Sequence, residues 1–311
     1  MSMSVSRAFS PSGISGFFEV INHEKDGTPI RDPEKIGSRG GGFALCRGTT
    51  TEVMVRASNK KTIKIIINGE KAPEAETTKY MANMLLERTR KSYYVEVRHI
   101  VEVPIGAGFG TSAAGALSCG LALSRALRLN LTYNEIARMA HIADVVCHTG
   151  LGTVEGLMVG GLVLVVKSGA VGIGLVDRIP IPPTLRVVAG TFKPMEKSAI
   201  ILAPEKYLAI NEVAKKTMNR ILAKPSLTNF LRSCKYFSLH SGLASKRVKR
   251  LIQDAEDAGA IGSTQNMIGE AVHAIVYPQS LDSVYRAFRR HLPEEGIIVS
   301  EIDFQGAKLL S

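Results

Sequence analysis

The chain has 311 residues, 45% of them hydrophobic and 22% charged, with no tryptophan. That is ordinary globular material, long enough for a sizeable core and two lobes. A formal net charge of +11 favours anionic partners such as nucleotides, carboxylates, phosphate esters or nucleic acid, although a solvated basic surface would give the same figure.

The opening "MSMSVSRAFSPSG" lacks the apolar core of a signal peptide, and the longest greasy run, Gly156 to Val166, is too short to span a bilayer. Cys46, Cys119, Cys147 and Cys234 show no CxxC spacing, so neither a disulfide framework nor a zinc knuckle is expected. Cys119 and Cys147 fall in apolar-periodic stretches and read as buried thiols. A reducing, cytoplasmic setting follows, with no membrane partner.

In chain order, "TIKIIING" (Thr62 to Gly69) and "YYVEVRHIVEVP" (Tyr93 to Pro104) are rich in β-branched residues and predict strands. Between them Ala75 to Arg90 predicts a helix, acidic first and basic last, as the macrodipole prefers. Thr111 to Leu127 predicts a second helix, whose face of Ala113, Ala116, Leu117, Gly120, Leu121 and Ser124 is small enough to demand a close neighbour. Thr132, with Glu135 three residues on, forms a capping box for a third. That helix runs to about His148 and buries Ile136, Met139 or Ala140, Ala143 and Cys147. "TGLGTVEG" then reads as a loop and "GGLVLVVK" as a buried strand, with sheet character continuing through "GIGLVDRI" and "LRVVAGTF". Beyond about Pro182 helical stretches begin at "APEKYL", "LTNFLR" and "SKRVKR", followed by "EAVHAIVY", a helix near "LDSVYRAFRRHL" and "IIVSEIDF". The pattern predicts an α+β protein of two lobes, 1–180 and 181–311, meeting near the "PIPP" joint.

The segment "VPIGAGFGTSAAG" (Val103 to Gly115) carries the functional signal. It lies between a strand and a helix, and a helix N-terminus leaves amide donors unpaired and partly positive, a setting that attracts phosphate. Gly106, Gly108 and Gly110 would let a phosphate lie on bare backbone, while Thr111 and Ser112 place hydroxyls at the first turn. A Walker A loop is excluded because no lysine follows Gly110, and the Rossmann spacing GxGxxG is not met. A protein kinase is excluded because neither HRD nor DFG occurs.

"PIGAGFGTSAAG" (Pro104 to Gly115) resembles the PxGxGLGSSAA phosphate loop of the GHMP kinase superfamily. "AFSPSGISGFFEV", "IGSRGGGFALCRGTTTEV", "HTGLGTVEGLMVGG" and "GAIGSTQNMIGEAV" are similar, in the same order, to the pantoate kinase branch. The resemblance spans nearly the whole chain. It implies a two-lobed GHMP kinase fold, with an N-terminal lobe like ribosomal protein S5 domain 2 and a ferredoxin-like C-terminal lobe. It implies transfer of the ATP γ-phosphoryl group to a small-molecule hydroxyl with Mg²⁺, which in the pantoate branch converts (R)-pantoate to 4-phosphopantoate for coenzyme A. Nucleotide-binding positions carried over are Pro104, Gly106, Ala107, Gly108, Gly110, Thr111, Ser112 and Ala113.

In relatives the loop serine binds phosphate and metal, a helix carboxylate holds Mg²⁺, and a loop aspartate is the base. Ser112 and Asp144 match the first two, although a glutamate is usual at the second. At the base position stands Thr153, which cannot accept a proton at neutral pH. Glu155, two residues on, would share its side of an extended loop and could substitute; otherwise transfer proceeds by positioning and electrostatics alone. The pantoate branch usually has a histidine where this chain has Gly13, leaving Ser12, Ser15 and Arg39 as acceptor-binding candidates, with Arg39 able to grip a carboxylate bidentately. His141, Asp144 and His148 share a helix face but lack the i, i+4 histidine pair of a zinc helix. The "GAIGSTQNMIG" turn is placed by the resemblance beside the active site, over the phosphates or the acceptor.

Two alternatives stay open. A mevalonate-phosphate or phosphomevalonate kinase would suit the altered Gly13 and Thr153, and its doubly anionic phosphorylated substrate would suit the net charge. A catalytically silent nucleotide- or RNA-binding relative would suit Thr153 and the S5-like lobe, but without an aromatic stacking platform nucleic acid is not the expected partner. A small anionic hydroxy acid is the first choice of substrate, and relatives commonly form homodimers.

Overall fold

A computed structural model describes residues 3–193 and 204–311. Ala203, the first residue of one expected helix, lies outside them. Two long strands, β1 (Met3–Ile21) and β2 (Gly37–Ala57), pair antiparallel along their whole length, bent by register shifts at Pro11/Ser12 and Ser15/Phe17. Around them β3 (Thr62–Ile67), β4 (Glu70–Lys71) and β5 (Tyr93–Val101) complete one wing. β6 (Leu162–Lys167) and β7 (Leu175–Ile179) extend the other end of β2.

Helices α1 (Glu76–Glu87), α2 (Thr111–Ala126) and α3 (Tyr133–Val146) pack together over this sheet. The small-faced helix foreseen at Thr111 is α2. Its burial extends beyond one face, since every residue from Ala113 to Ala126 except Arg125 is buried. The all-round burial follows from its place between β1 and β2 on one side and α1 and α3 on the other; alanine and glycine let all of them approach. The Thr132–Glu135 capping box forms, with Thr132 accepting from the Glu135 amide and Glu135 from the Thr132 amide. Cys147, expected in the core, is only half-buried because α3 stops one residue earlier.

After β7 the chain enters a second sheet of β8 (Arg186–Lys193), β9 (Gly262–Gln265), β10 (Glu270–Val276) and β11 (Ile297–Glu301), all antiparallel. It is covered by α6 (Leu227–His240), α7 (Lys246–Asp257) and α8 (Leu281–Arg289), while α5 (Pro204–Ala223) packs on α6 and β1. α4 (Val154–Val159) lies in the first lobe, where a loop was expected. The boundary drawn at residue 180 does not divide the chain cleanly. The final strand, β12 (Lys308–Leu310), returns to pair with β1 of the first sheet. One apolar cluster also joins the lobes, with Phe17 and Phe43 of the first sheet meeting Phe230 and Phe237 of α6 edge-on at 5.6–6.3 Å. Fused cores of this kind hold the two lobes in one geometry.

Candidate active site

The Val103–Gly110 connection delivers the chain from β5 to α2 through three left-handed glycines, Gly106, Gly108 and Gly110. Gly110 is the residue before the helix and supplies no side chain to cap it, so the first-turn amides at Thr111, Ser112 and Ala113 have no capping group. Its φ of +63° favours glycine, and a Cβ there would lie 2.7 Å from the Thr153 methyl. Ala107, Phe109 and Ala113 bury their side chains in the cores, anchoring the loop, while Pro104 is half-buried at its entry. The Gly13 amide donates to the Phe109 carbonyl at 3.0 Å, tying β1 to the same loop.

Ser112 donates to Asp144 Oδ1 at 2.9 Å, and the Thr149 hydroxyl donates to the same oxygen at 2.8 Å. Asp144 comes from α3 and is buried. Gly150 lies directly over it, and a Cβ on Gly150 would stand 1.9 Å from Asp144 Oδ2. A larger residue at 150 would therefore displace the carboxylate. Thr149 also meets the Thr77 hydroxyl at 2.8 Å, linking the site to α1.

Two cavities flank this centre. One, of about 200 Å³, is lined by Ile67, Glu74, Thr77, Ile105, Thr111 and Ser112, among others, and opens beside the uncapped end of α2. The other, of about 60 Å³, is lined by Ser15, Phe18, Ser38, Leu151, Thr153 and Ile268, together with Gly150 and Met267. Thr149 borders the first and Gly150 the second, and both residues lie against the Asp144 carboxylate.

A strap from the second lobe completes the smaller cavity. The Met267 amide donates to the Ser15 carbonyl at 2.8 Å, and Asn266 Nδ2 donates to the Ala107 carbonyl at 3.2 Å. The "GAIGSTQNMIG" segment is thus β9 plus a turn that rests on both the glycine loop before α2 and β1.

Other candidates lie elsewhere. Glu155 is not in an extended loop. It sits in the first turn of α4, 3% exposed, with Oε1 2.7 Å from His141 Nδ1. His141 also donates from Nε2 to the Ile36 carbonyl at 2.9 Å, so both ring nitrogens are engaged within the protein. Burial lowers its pKa, but the Glu155 hydrogen bond and charge more than offset that and leave it raised. Thr153 remains at the junction, half-buried, with its methyl against Gly110 of the glycine loop. Ser12 is fully buried and donates to the Arg47 carbonyl inside a bulge, away from both chambers. Arg39 pairs at 3.1 Å with buried Glu19, so its charge is already answered. Burial raises the Glu19 carboxyl against the pull of Arg39 and Lys215. Of the three acceptor-binding candidates, only Ser15 lines the cavity.

Sequence reasoning missed Thr149, Ser38, Phe18 and Leu151, and placed the "GAIGSTQNMIG" turn beside the site without singling out Met267 and Ile268. Thr149 carried a usable signal, a hydroxyl residue just past the end of the helix bearing Asp144. It also missed His99, buried beneath α2, bonded to Thr51 at 2.7 Å and Thr78 at 3.0 Å and pushed down to about 4 by burial. No run of apolar periodicity marks a histidine as a strut of this kind.

Fold and site together define a class: two-lobed kinases that move a phosphoryl group from ATP to a small molecule. Residues 76–158 match the model for the GHMP kinases N terminal domain. The pantoate kinase of Thermococcus kodakarensis is 31% identical over 275 residues, covering 87% of each chain. The pantoate kinase of Methanocaldococcus jannaschii is 27% identical over 277 residues, covering 88% of this chain and 94% of its own. A solved structure described as a phosphotransferase related to the CoA biosynthesis pathway superposes with a TM-score of 0.87 at 27% identity, over 98% of each chain. The chain belongs to the GHMP kinase family. No helix among the described residues is long and apolar enough to cross a membrane.

Proposed function

We propose that this protein transfers the γ-phosphoryl group of ATP to the C4 hydroxyl of pantoate. The observation that carries the reading is a pair of chambers bordered by the adjacent residues Thr149 and Gly150, one beside the N-terminus of α2 and the other lined by serine, threonine and apolar residues. The nucleotide takes the larger chamber, with its phosphates on the amides of Thr111, Ser112 and Ala113, where the helix end is partly positive. The Ser112 hydroxyl and the Asp144 carboxylate are hard oxygen donors 2.9 Å apart, a donor set that suits Mg²⁺ held by one carboxylate plus substrate phosphates. Bound there, the ion would neutralise charge on the β- and γ-phosphates.

Neither a carboxylate nor a histidine lines the smaller chamber among the described residues. Glu155, committed to His141, is turned away from the general-base role. The acceptor oxygen therefore attacks phosphorus through positioning, the bond to ADP breaks, and the hydroxyl proton leaves on the phosphoryl oxygens. A loose transition state places little demand on a base. Lysine and arginine are likewise missing from that lining, which disfavours a doubly charged phosphorylated acceptor and suits a monoanionic hydroxy acid held by Ser15, Ser38 and Thr153. Incubation with Mg-ATP and a panel of pantoate, mevalonate and mevalonate phosphates, with ADP as readout, tests the assignment. Turnover with pantoate alone is expected; turnover only with a mevalonate phosphate would replace it.

A further inference from the structure

Resting on pantoate as the acceptor, we propose that an apolar wall of Phe18, Leu151, Met267 and Ile268 reads the quaternary dimethyl carbon of the substrate, with Ile268 the discriminating residue. The chamber divides its lining between two chemistries. Ser15, Ser38 and Thr153 are its hydroxyl residues, and the four wall residues bring apolar side chains. Pantoate divides the same way, with a carboxylate and two hydroxyls around one carbon that carries two methyl groups.

The wall is held in place before any substrate arrives. Phe18 packs edge-on against Phe237 at 5.7 Å, and Phe18, Met267 and Ile268 are each less than 10% exposed. The strap that carries Met267 and Ile268 is pinned at three points. Met267 bonds Ser15, Asn266 bonds Ala107, and Gln265 Nε2 donates to the Gly269 carbonyl at 2.8 Å. A fixed apolar surface cannot collapse onto a slimmer ligand, so each missing methyl leaves a gap and loses its contacts. An acceptor presenting an ammonium or a second phosphate to this wall would be desolvated with no opposite charge to meet it. Two residues of the second lobe thereby help choose the substrate of a site whose phosphate loop belongs to the first.

The experiment compares kcat/KM for pantoate with that for 2,4-dihydroxybutanoate, the same molecule without its two methyls. The native enzyme should prefer pantoate by at least about tenfold, the usual return on a methylene-sized contact in an apolar pocket. Ile268→Ala should cut that preference by about fivefold or more, through loss on pantoate rather than gain of general activity. The conservative Ile268→Val should shift it in the same direction by less. General damage to the fold would lower both acceptors together and leave the ratio intact, so the ratio isolates recognition. A native ratio near one, or a ratio unmoved in both variants, overturns the proposal. If the native enzyme turns over the mevalonate phosphates and neither of these acceptors, the pantoate reading itself has failed and the wall's assignment falls with it.

Discussion

The two chambers on either side of Thr149 and Gly150 are built from different kinds of sequence. The proposed phosphate contacts on the donor side come from one contiguous segment, Pro104 to Ala113, whose glycines, hydroxyls and alanines suit a phosphate and a buried helix, while Thr49, Ile67, Thr77 and His99 from other elements complete the chamber wall. The acceptor side draws on four separated pieces: β1 near Ser15 and Phe18, β2 at Ser38, the Gly150–Thr153 turn, and the Met267–Ile268 strap from the second lobe. Backbone amides gripping phosphate leave a legible pattern, because only glycine and small residues permit it. Recognition of a small acceptor by side chains gathered across the fold leaves a fainter one, which reached Ser15, Thr153 and the 259–269 turn but not Phe18, Ser38 or Leu151.

The largest effects should come from the hinge between the two sides. Ser112→Ala or Asp144→Asn should lower kcat by about 10²–10³-fold, the scale of losing one preorganised group at developing charge. Steady-state kinetics at saturating ATP would check this, and a loss smaller than tenfold in both would remove them from the chemistry. Gly110→Ala should follow. It forces a left-handed backbone onto an alanine, at about 1–2 kcal/mol, and drives its Cβ into the Thr153 methyl. A raised KM for ATP together with a lowered Tm is expected, and an unchanged KM would detach the loop's shape from nucleotide binding.

Glu155 sharpens the contrast. A general base contributes about 10²–10⁴-fold, whereas the buried pair with His141 predicts that Glu155→Gln keeps kcat within about tenfold of native and loses stability instead. A thousandfold loss of kcat with native stability would restore the base. The smallest effect lies in the pH dependence of stability. The folded pKa of His141 is raised above the ordinary 6.5, so its contribution is fully present below that value and is lost as pH rises through the folded pKa. Urea midpoints measured between pH 5 and 9 should show this decline in the native protein and its loss in Glu155→Gln, where burial lowers the ring's pKa against only the Ile36 carbonyl and the Asp144 charge. Parallel profiles would contradict the pairing.

How far the sequence could be read follows from the same contrast. The strands at Thr62 and Tyr93, the helix at Thr111 and the Thr132–Glu135 cap were visible because local chemistry decides them. The start of α4 at Val154 was not, because the glycines of "TGLGTVEG" read as a loop, which Thr149 to Thr153 do form. What stabilises that turn of helix is remote: Glu155 reaching His141, and Leu157 buried in the core. Arg39 looked available for a carboxylate because nothing nearby in sequence pairs with it. Its partner, Glu19, comes from the other strand of a long hairpin. Ser12 failed for a related reason, since the bulge that turns it inward depends on the register between β1 and β2. β12 could not be foreseen either, because three residues carry too little pattern to announce a return to β1.

The central claim, that a phosphoryl group passes from the α2 chamber to a hydroxyl held across Gly150, is tested most directly by phosphorus NMR of the protein with Mg-ATP and pantoate. The account predicts ADP together with one new phosphomonoester signal split into a triplet by the two protons on C4. Signals of ADP and inorganic phosphate alone, or a doublet from a phosphate on the C2 hydroxyl, would contradict it.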